Sequence, residues 1–327
     1  MGMGVIGTGR WGRNHVRTLH ELGDLAAVCD ADATARGAMA AAYPEAAVHD
    51  APESLLADDR VTGVVIAAPA PLHFALATQA LAAGRDVLVE KPLALTVADA
   101  QSLCALAAER KRLLAVGHLY EYYPAIEQMH ELIAAGAIGV PWYADCVHVS
   151  LGVIRTEEDV IWSIAPHDFA VLLRLAGGLP EWVTVTARDF VQPGIADLAE
   201  CVLQFPKGLR AQVHLSWLAP VKDRRITVVG ESGALVFDDL RQTLIHSTGH
   251  AELRDGRPVV VSGEQHAVAF SDEPPLRREL RHFLDCMETR TAPRTDGASG
   301  VQVLRLLEAC TRAQQTGAVV PLAPEVC

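Results

Sequence analysis

The chain has 327 residues, half of them apolar, with 28 Lys and Arg against 40 Asp and Glu and a formal net charge of −12. That length and apolar share exclude a mainly disordered polymer and allow two domains, each with a core of its own. The acidic balance offers phosphate backbones no basic surface, so no nucleic-acid partner is expected and a soluble protein handling small molecules fits. The longest apolar run, residues 61–84, is broken by Pro69, Pro71 and His73, so no membrane span is expected. No basic segment followed by an apolar one opens the chain. Seven scattered cysteines (Cys29, Cys104, Cys146, Cys201, Cys286, Cys310, Cys327) include no CxxC, which points to reduced, cytoplasmic usage. Most sit in apolar patterns, where Cys behaves as a small hydrophobe.

The first elements are an apolar strand end at residues 5–7, the run Gly7-Thr8-Gly9-Arg10-Trp11-Gly12, and a helix over residues 11–22. GxGxxG between strand and helix is a dinucleotide-binding pattern. Gly7 permits the turn, Gly9 lets backbone approach a pyrophosphate, and Gly12 lets the helix pack on the strand, while the first helical N–H groups face the anion. A second strand, 25–29, runs into Asp30. An acid there accepts ribose hydroxyls and repels a 2′-phosphate, so NAD is expected rather than NADP. Further strands are read at 64–67, 86–89 and 113–117, and helices at 33–42, 71–83 and 97–110, the last capped by Thr96 with Asp99 as partner acid. Gly84 closes the helix before it. The alternation specifies an α/β, doubly wound Rossmann domain over residues 1–119.

Two loops leave this sheet at the carboxyl ends of strands, where such folds bind ligands. One carries Ala68, Pro69 and His73; the other is Glu90-Lys91-Pro92. Lys beside a nicotinamide can donate to an alkoxide or carbonyl oxygen, and Pro92 fixes the backbone and permits a cis bond. Beyond residue 120 the period changes. A helix at 123–135, with Ile126, Met129, Leu132 and Ile133 as its stripe, precedes alternating strands at 182–190, 198–205, 209–217, 225–229 and 234–238. They specify an α+β domain, 120–327, with a mainly antiparallel sheet, one face under helices and the other wet or an oligomer interface. A last helix at 299–315 is expected to pack back on the first domain. Pro166 favours a helix beginning there, which would put His167 and Asp168 in its first turn. His at that place exchanges protons near neutral pH. His246 and His250 have i, i+4 spacing but lie in Ser-Thr-Gly sequence that does not favour a helix, so no metal site is expected.

These residues together carry a resemblance. GTGRWG with His15, the Ala68-Pro69-x-x-x-His73 loop, Glu90-Lys91-Pro92 and Gly117-His118-x-x-x-Tyr122-x-Pro124 are similar to the Gfo/Idh/MocA family of NAD(P)-dependent oxidoreductases. The resemblance implies that Lys91 and His167 are catalytic. It places Gly7, Thr8, Gly9, Arg10, Trp11, Gly12, Asp30, Ala68, Pro69, His73, Glu90 and Lys91 around the cofactor. Tyr122, Arg155, Trp162, Ser163 and Asp168 are expected to meet substrate. It further implies a homo-oligomer, dimer or tetramer, paired through the second sheet. The implied activity is hydride transfer between a sugar hydroxyl and nicotinamide. A nucleotide sugar is favoured because GHxxxYxPA, Ser150-Leu151-Gly152 and Trp162-x-x-Ala165-Pro166-His167-Asp168 are similar to nucleotide-sugar members. The alternatives are an inositol or free-sugar dehydrogenase, a non-catalytic NAD or sugar sensor, and a hydrolase or lyase using NAD transiently. Two departures stand out: Ser163 where many relatives carry Asp, and Glu121 where many carry Arg.

Overall fold

A computed structural model of the protein describes residues 1–322; Cys327 lies outside the described residues. The chain opens with β1 (Met3–Ile6), α1 (Gly12–Leu22), β2 (Leu25–Cys29), α2 (Ala33–Ala42), β3 (Ala47–His49), α3 (Pro52–Leu56), β4 (Gly63–Ile66), α4 (His73–Ala82), β5 (Asp86–Glu90), α5 (Val97–Arg110) and β6 (Leu114–Gly117). The middle of the chain holds α6 (Pro124–Ala134), β7 (Pro141–Leu151), α7 (Val160–Ala176), β8 (Trp182–Arg188), β9 (Leu198–Gln204), β10 (Arg210–Ser216) and β11 (Leu218–Gly230). There follow β12 (Gly233–Asp238), β13 (Thr243–Ser247), β14 (His250–Arg254), β15 (Arg257–Val261), β16 (Gln265–Val268), α8 (Pro275–Thr289), α9 (Gly297–Thr316) and β17 (Val320–Pro321).

Two compact units result: Met1–Tyr122 with Glu273–Leu304, and Tyr123–Asp272 with the chain from Arg305 on. The change of period after residue 119 assigns everything beyond it to a second domain; residues 273–304 instead count with the first unit.

In the first unit a six-stranded parallel sheet has the order β3-β2-β1-β4-β5-β6. β1, β4 and β6 are buried along their whole length, which is why they read as unbroken apolar runs. The order reverses between β1 and β4, and the crevice beyond their carboxyl ends is the ligand position of such sheets. α8 completes the core: Leu276, Leu280, Phe283, Leu284 and Met287 pack with Met3, Val16, Leu19, Val28 and Leu88. The first turn of α9 also belongs here, because a side chain at Gly297 or Gly300 would strike Cys104 and Leu114 or Val116 and Leu93. Thr96 caps α5, its hydroxyl accepting from the Asp99 N–H and donating to the Asp99 carboxylate.

The second unit is built on a nine-stranded sheet, β16-β13-β12-β11-β7-β10-β9-β8-β17, antiparallel except where β10 runs parallel to β7. In β10, Ala211, Val213 and Leu215 are buried beneath α7, while Arg210 and Gln212 are exposed, as strict alternation requires. The opposite face carries a shallow cavity of about 380 Å³ whose lining includes Asp145, Glu200, Gln212, His214, Arg225 and Thr227. His246 lies on β13 and His250 on β14. Among the described residues no three His, Cys, Asp or Glu side chains gather as a metal cluster would, and no helix is long and apolar enough to cross a membrane.

Among the described residues six cysteines are free thiols. Burial and the Asp30 charge push Cys29 up to about 11, and burial pushes Cys146 and Cys310 well up, so none of these three is a thiolate at neutral pH.

Candidate active site

In the first unit the glycine loop has the geometry a dinucleotide needs. Gly7 has φ +90°, and a Cβ there would stand 2.8 Å from the Ala67 carbonyl oxygen. A Cβ on Gly12 would overlap the Gly7 carbonyl, so α1 can pack this close only through glycine. Gly9 differs: nothing stands within 4 Å of its would-be Cβ, and the space it leaves is open to a ligand. These residues fit a dinucleotide, with backbone N–H groups and the α1 dipole available to phosphate.

Asp30 follows β2 and anchors the same loop. Its Oδ2 accepts the Thr8 backbone N–H at 2.7 Å and the Thr8 hydroxyl at 2.8 Å; Oδ1 accepts the Asp32 N–H at 2.9 Å. Burial works to raise this carboxyl, but those three bonds and Arg36 outweigh it and hold it below the usual carboxylate range. A carboxylate accepts about four hydrogen bonds. Three are taken, and the remaining site on Oδ1 is the one a ribose hydroxyl can use.

The carboxyl end of β5 is tied to the glycine loop through Glu90. Its Oε1 accepts from the Trp11 indole N–H and meets His15 Nε2 at 2.7 Å, and its Oε2 accepts the Lys91 backbone N–H at 3.2 Å. Burial acts to raise Glu90, but the His15 bond, the charges of His15 and Lys91, and Trp11 prevail and keep it ionised. The Lys91–Pro92 bond is cis. His73 spends both ring nitrogens on backbone, at 2.7 Å from the Pro92 carbonyl and 2.9 Å from that of Ala68. Expected to meet cofactor, it is buried and instead clamps the two loops together. Arg10 and Pro69 are exposed and Ala68 half-buried, with the loop.

Tyr122, expected to meet substrate, lies in the core of the first unit. It is 2% exposed, its hydroxyl is 3.2 Å from Thr295 Oγ1, and the Arg294 guanidinium sits 5.0 Å over its ring. Glu121 is buried beside it, and its carbonyl accepts from Arg294.

The second unit holds the remaining candidates. α7 does not begin at Pro166. It begins at Val160, because Asp159 accepts the N–H groups of Ile161 and Trp162 at 3.0 Å each and caps it there. Pro166 is therefore inside the helix, and His167 and Asp168 are mid-helical. Asp168 is buried, with Oδ2 3.5 Å from His148 Nδ1 on β7, and His167 next to it is half-buried. The Trp162 indole donates to Thr311 Oγ1 at 2.9 Å, Ser163 N–H bonds the Asp159 carbonyl, and Arg155 is exposed with Nε 3.6 Å from Glu158.

Sequence reasoning did not find His15 as the partner of Glu90, nor His148 as the partner of Asp168. The first pair is 75 residues apart in sequence, and only the His on the inner face of α1 hints at it. The second would have needed the register of β7 under α7.

A glycine-loop Rossmann sheet with a carboxylate after β2, and an ionised glutamate followed by a lysine at the end of β5, defines a dinucleotide-binding enzyme. Residues 1–118 match the family model described as oxidoreductase family, NAD-binding Rossmann fold, and residues 126–236 match the GFO/IDH/MocA C-terminal domain. The chain belongs to the Gfo/Idh/MocA family of oxidoreductases. It is 32% identical to inositol 2-dehydrogenase 1 of Saccharopolyspora erythraea over 337 aligned positions, covering 97% of this chain and 95% of that protein. It is 29% identical to UDP-N-acetylglucosamine 3-dehydrogenase of Acidithiobacillus ferrooxidans, covering 93% and 94%. The solved structure of that second enzyme superposes with a TM-score of 0.86 at 28% identity, over 96% of this chain and 97% of that one.

Proposed function

We propose that the protein oxidises a ring hydroxyl of a sugar, first of all a nucleotide-linked sugar, or reduces the matching ketone, with NAD as the working cofactor. The observation that carries this reading is the tie between the glycine loop and the end of β5, where Trp11 and His15 converge on Glu90. That tie keeps Lys91 beside the residues that would hold the dinucleotide. Gly7, Thr8, Gly9, Gly12 and Asp30 hold the cofactor, which when bound supplies the hydride acceptor or donor.

Lys91 is the residue that exchanges a proton with the substrate hydroxyl and polarises the ketone oxygen. Glu90, ionised beside it, stabilises the ammonium form. His167 is the second acid–base group, and Asp168 with His148 fixes the helix face that carries it. Asp30 supports NAD over NADP, since its charge opposes a 2′-phosphate. Ser163 cannot supply the carboxylate that many relatives carry there, so His167 works without an acid one turn earlier. The exposed face of the second sheet is the surface through which copies would pair.

A second substrate reading, inositol, is favoured by the 32% identity to an inositol 2-dehydrogenase. Absorbance at the NADH band, with NAD and a panel of nucleotide sugars, free sugars and inositols, separates the two. Lys91→Ala is expected to bind NADH normally and to lose turnover by about 100-fold or more. Undiminished turnover in that variant removes Lys91 from the chemistry, and silence of the native protein across the panel, with NAD bound, favours a sensor.

A further inference from the structure

Two buried ionisable groups around Glu90 and Lys91 take no part in the chemistry above. Glu279, on the inner side of α8, is 1% exposed, and neither of its carboxyl oxygens meets a protein hydrogen-bond partner. His118, just beyond β6, is equally buried, and neither ring nitrogen has one. α8 packs on the turn Leu119–Tyr122 and on α1, the helix that carries His15. Register sets Gly117 beside Glu90, whose Oε2 lies 3.1 Å from where a Gly117 side chain would start. His118 thus follows the residue paired with Glu90, and Glu279 is enclosed on a helix that packs against α1 and the turn after β6, the elements on either side of Glu90, which already accepts from Trp11, His15 and the Lys91 backbone.

An unpaired carboxylate enclosed in this way costs several kcal/mol, and a neutral acid far less. Burial, and then the Glu90 charge, push Glu279 well above the usual carboxylate range. Burial, aided by Lys91 and opposed by Glu90, pushes His118 down to about 4. Two neighbouring carboxyl groups hold one proton more readily than two charges. The donors on Glu90 fix the charge there, which leaves the proton to Glu279. The other ionisable groups around this region are His15 on α1, Glu121 and Tyr122 after β6, Arg294 in the loop that follows α8, and His282 and Cys286 on α8 itself.

We propose that Glu279 is a positioning residue for the Glu90–Lys91 pair: it stands protonated and offers its O–H toward the Glu90 carboxylate through a bridging water. The two acids then place a single negative charge beside Lys91. The inference rests on Lys91 being the acid–base group, and its test separates the two ideas.

The Trp11 indole N–H donates to Glu90, so Trp11 fluorescence, with Trp11→Phe as blank, reports the ionisation of Glu90. Glu279→Leu removes a donor to the charged form and is expected to raise the pH of that transition by about one unit; Glu279→Gln keeps an N–H donor and moves it less than half as far. Infrared spectra at neutral pH are expected to show a protonated-carboxyl band that both variants lack. With whichever of myo-inositol or UDP-N-acetylglucosamine is oxidised, the fall in kcat is expected to be about tenfold larger in Glu279→Leu than in Glu279→Gln, at unchanged NADH affinity. A native protein without that band, or a Glu279→Leu variant with the native Trp11 titration, overturns the proposal. If Glu279→Leu does not fold, the band in the native protein and its loss in Glu279→Gln decide. Full turnover in Lys91→Ala would end the catalytic reading of Lys91 while the band and the Trp11 titration still decide on Glu279.

Discussion

Asp30→Asn separates the two tasks assigned to Asp30. Its Oδ2 serves Thr8 twice, and its Oδ1 serves Asp32 and has about one acceptor site left. In the variant the amide oxygen satisfies Thr8, whose N–H is buried, and the NH₂ group takes the place of Oδ1, so the exposed Asp32 N–H exchanges its acceptor for water. The ribose thus loses a bond to a charged acceptor, about 1.5–3 kcal/mol, or roughly 10- to 100-fold in NADH affinity. NADPH loses the same acceptor for its remaining ribose hydroxyl, but its 2′-phosphate is relieved of a like charge, about 1–3 kcal/mol for a half-exposed carboxylate a few ångströms away. The ratio of NADPH to NADH dissociation constants is therefore expected to fall by about 10- to 100-fold, and by less at high salt. Energy transfer from tryptophan to each reduced dinucleotide measures both constants, and an unchanged melting temperature shows that the Thr8 loop is intact. Equal losses for the two dinucleotides, or none, would refute the ribose assignment.

Gly9→Ala is expected to keep its melting temperature, because no atom stands near the new Cβ, and to lose NADH affinity by about tenfold or more; calorimetry checks both. Gly12→Ala, which meets the Gly7 carbonyl, is expected to lower the melting temperature itself. His118 is held at about 4, against an ordinary value near 6.5, so the unfolded chain binds its proton first as pH falls. Stability should therefore decline by up to about 3 kcal/mol between pH 6.5 and 4, and the urea-unfolding difference between native protein and His118→Gln should show that slope. Glu279 has the opposite sign: its folded-state pKa is raised, so the native protein takes up a proton on folding at neutral pH. Glu279→Gln should melt higher, relative to the native protein, at neutral pH than near pH 4.5, and a difference independent of pH would contradict the protonated acid.

Much of the first unit was legible because its signals are local. β2, α2 and α5 have the bounds that apolar runs, Ala-rich stretches and the Thr96 cap specify, and the glycine loop declares its turn in six residues. The three-residue edge strand β3 was not legible, since Ala47-Val48-His49 is half-buried throughout and too short for a period. Pro166 is a strong local signal for a helix start, but the Asp159 cap and burial of Phe169, Val171 and Leu172 overrule it and start α7 at Val160. Lys91 stood out through its neighbours in sequence. The groups on Glu90 did not, because Trp11 and His15 on one side and the Gly117 turn on the other are brought to it only by the fold. Asp30 was legible as an acid in the right place, whereas the three bonds that occupy it were not.

The dinucleotide-binding unit is discontinuous, and that sets an order on its making. Residues 1–122 leave the ribosome carrying all six strands of the sheet, but five of their apolar partners, Leu276, Leu280, Phe283, Leu284 and Met287, are synthesised some 150 residues later. Until then the cleft that α8 fills is open, with Met3, Leu19 and Val28 on its walls, and the nascent sheet has a sticky flank. Contacts of such long sequence separation close slowly, so the half-made sheet must wait, exposed to chaperones, for a helix encoded some 150 residues further along the message.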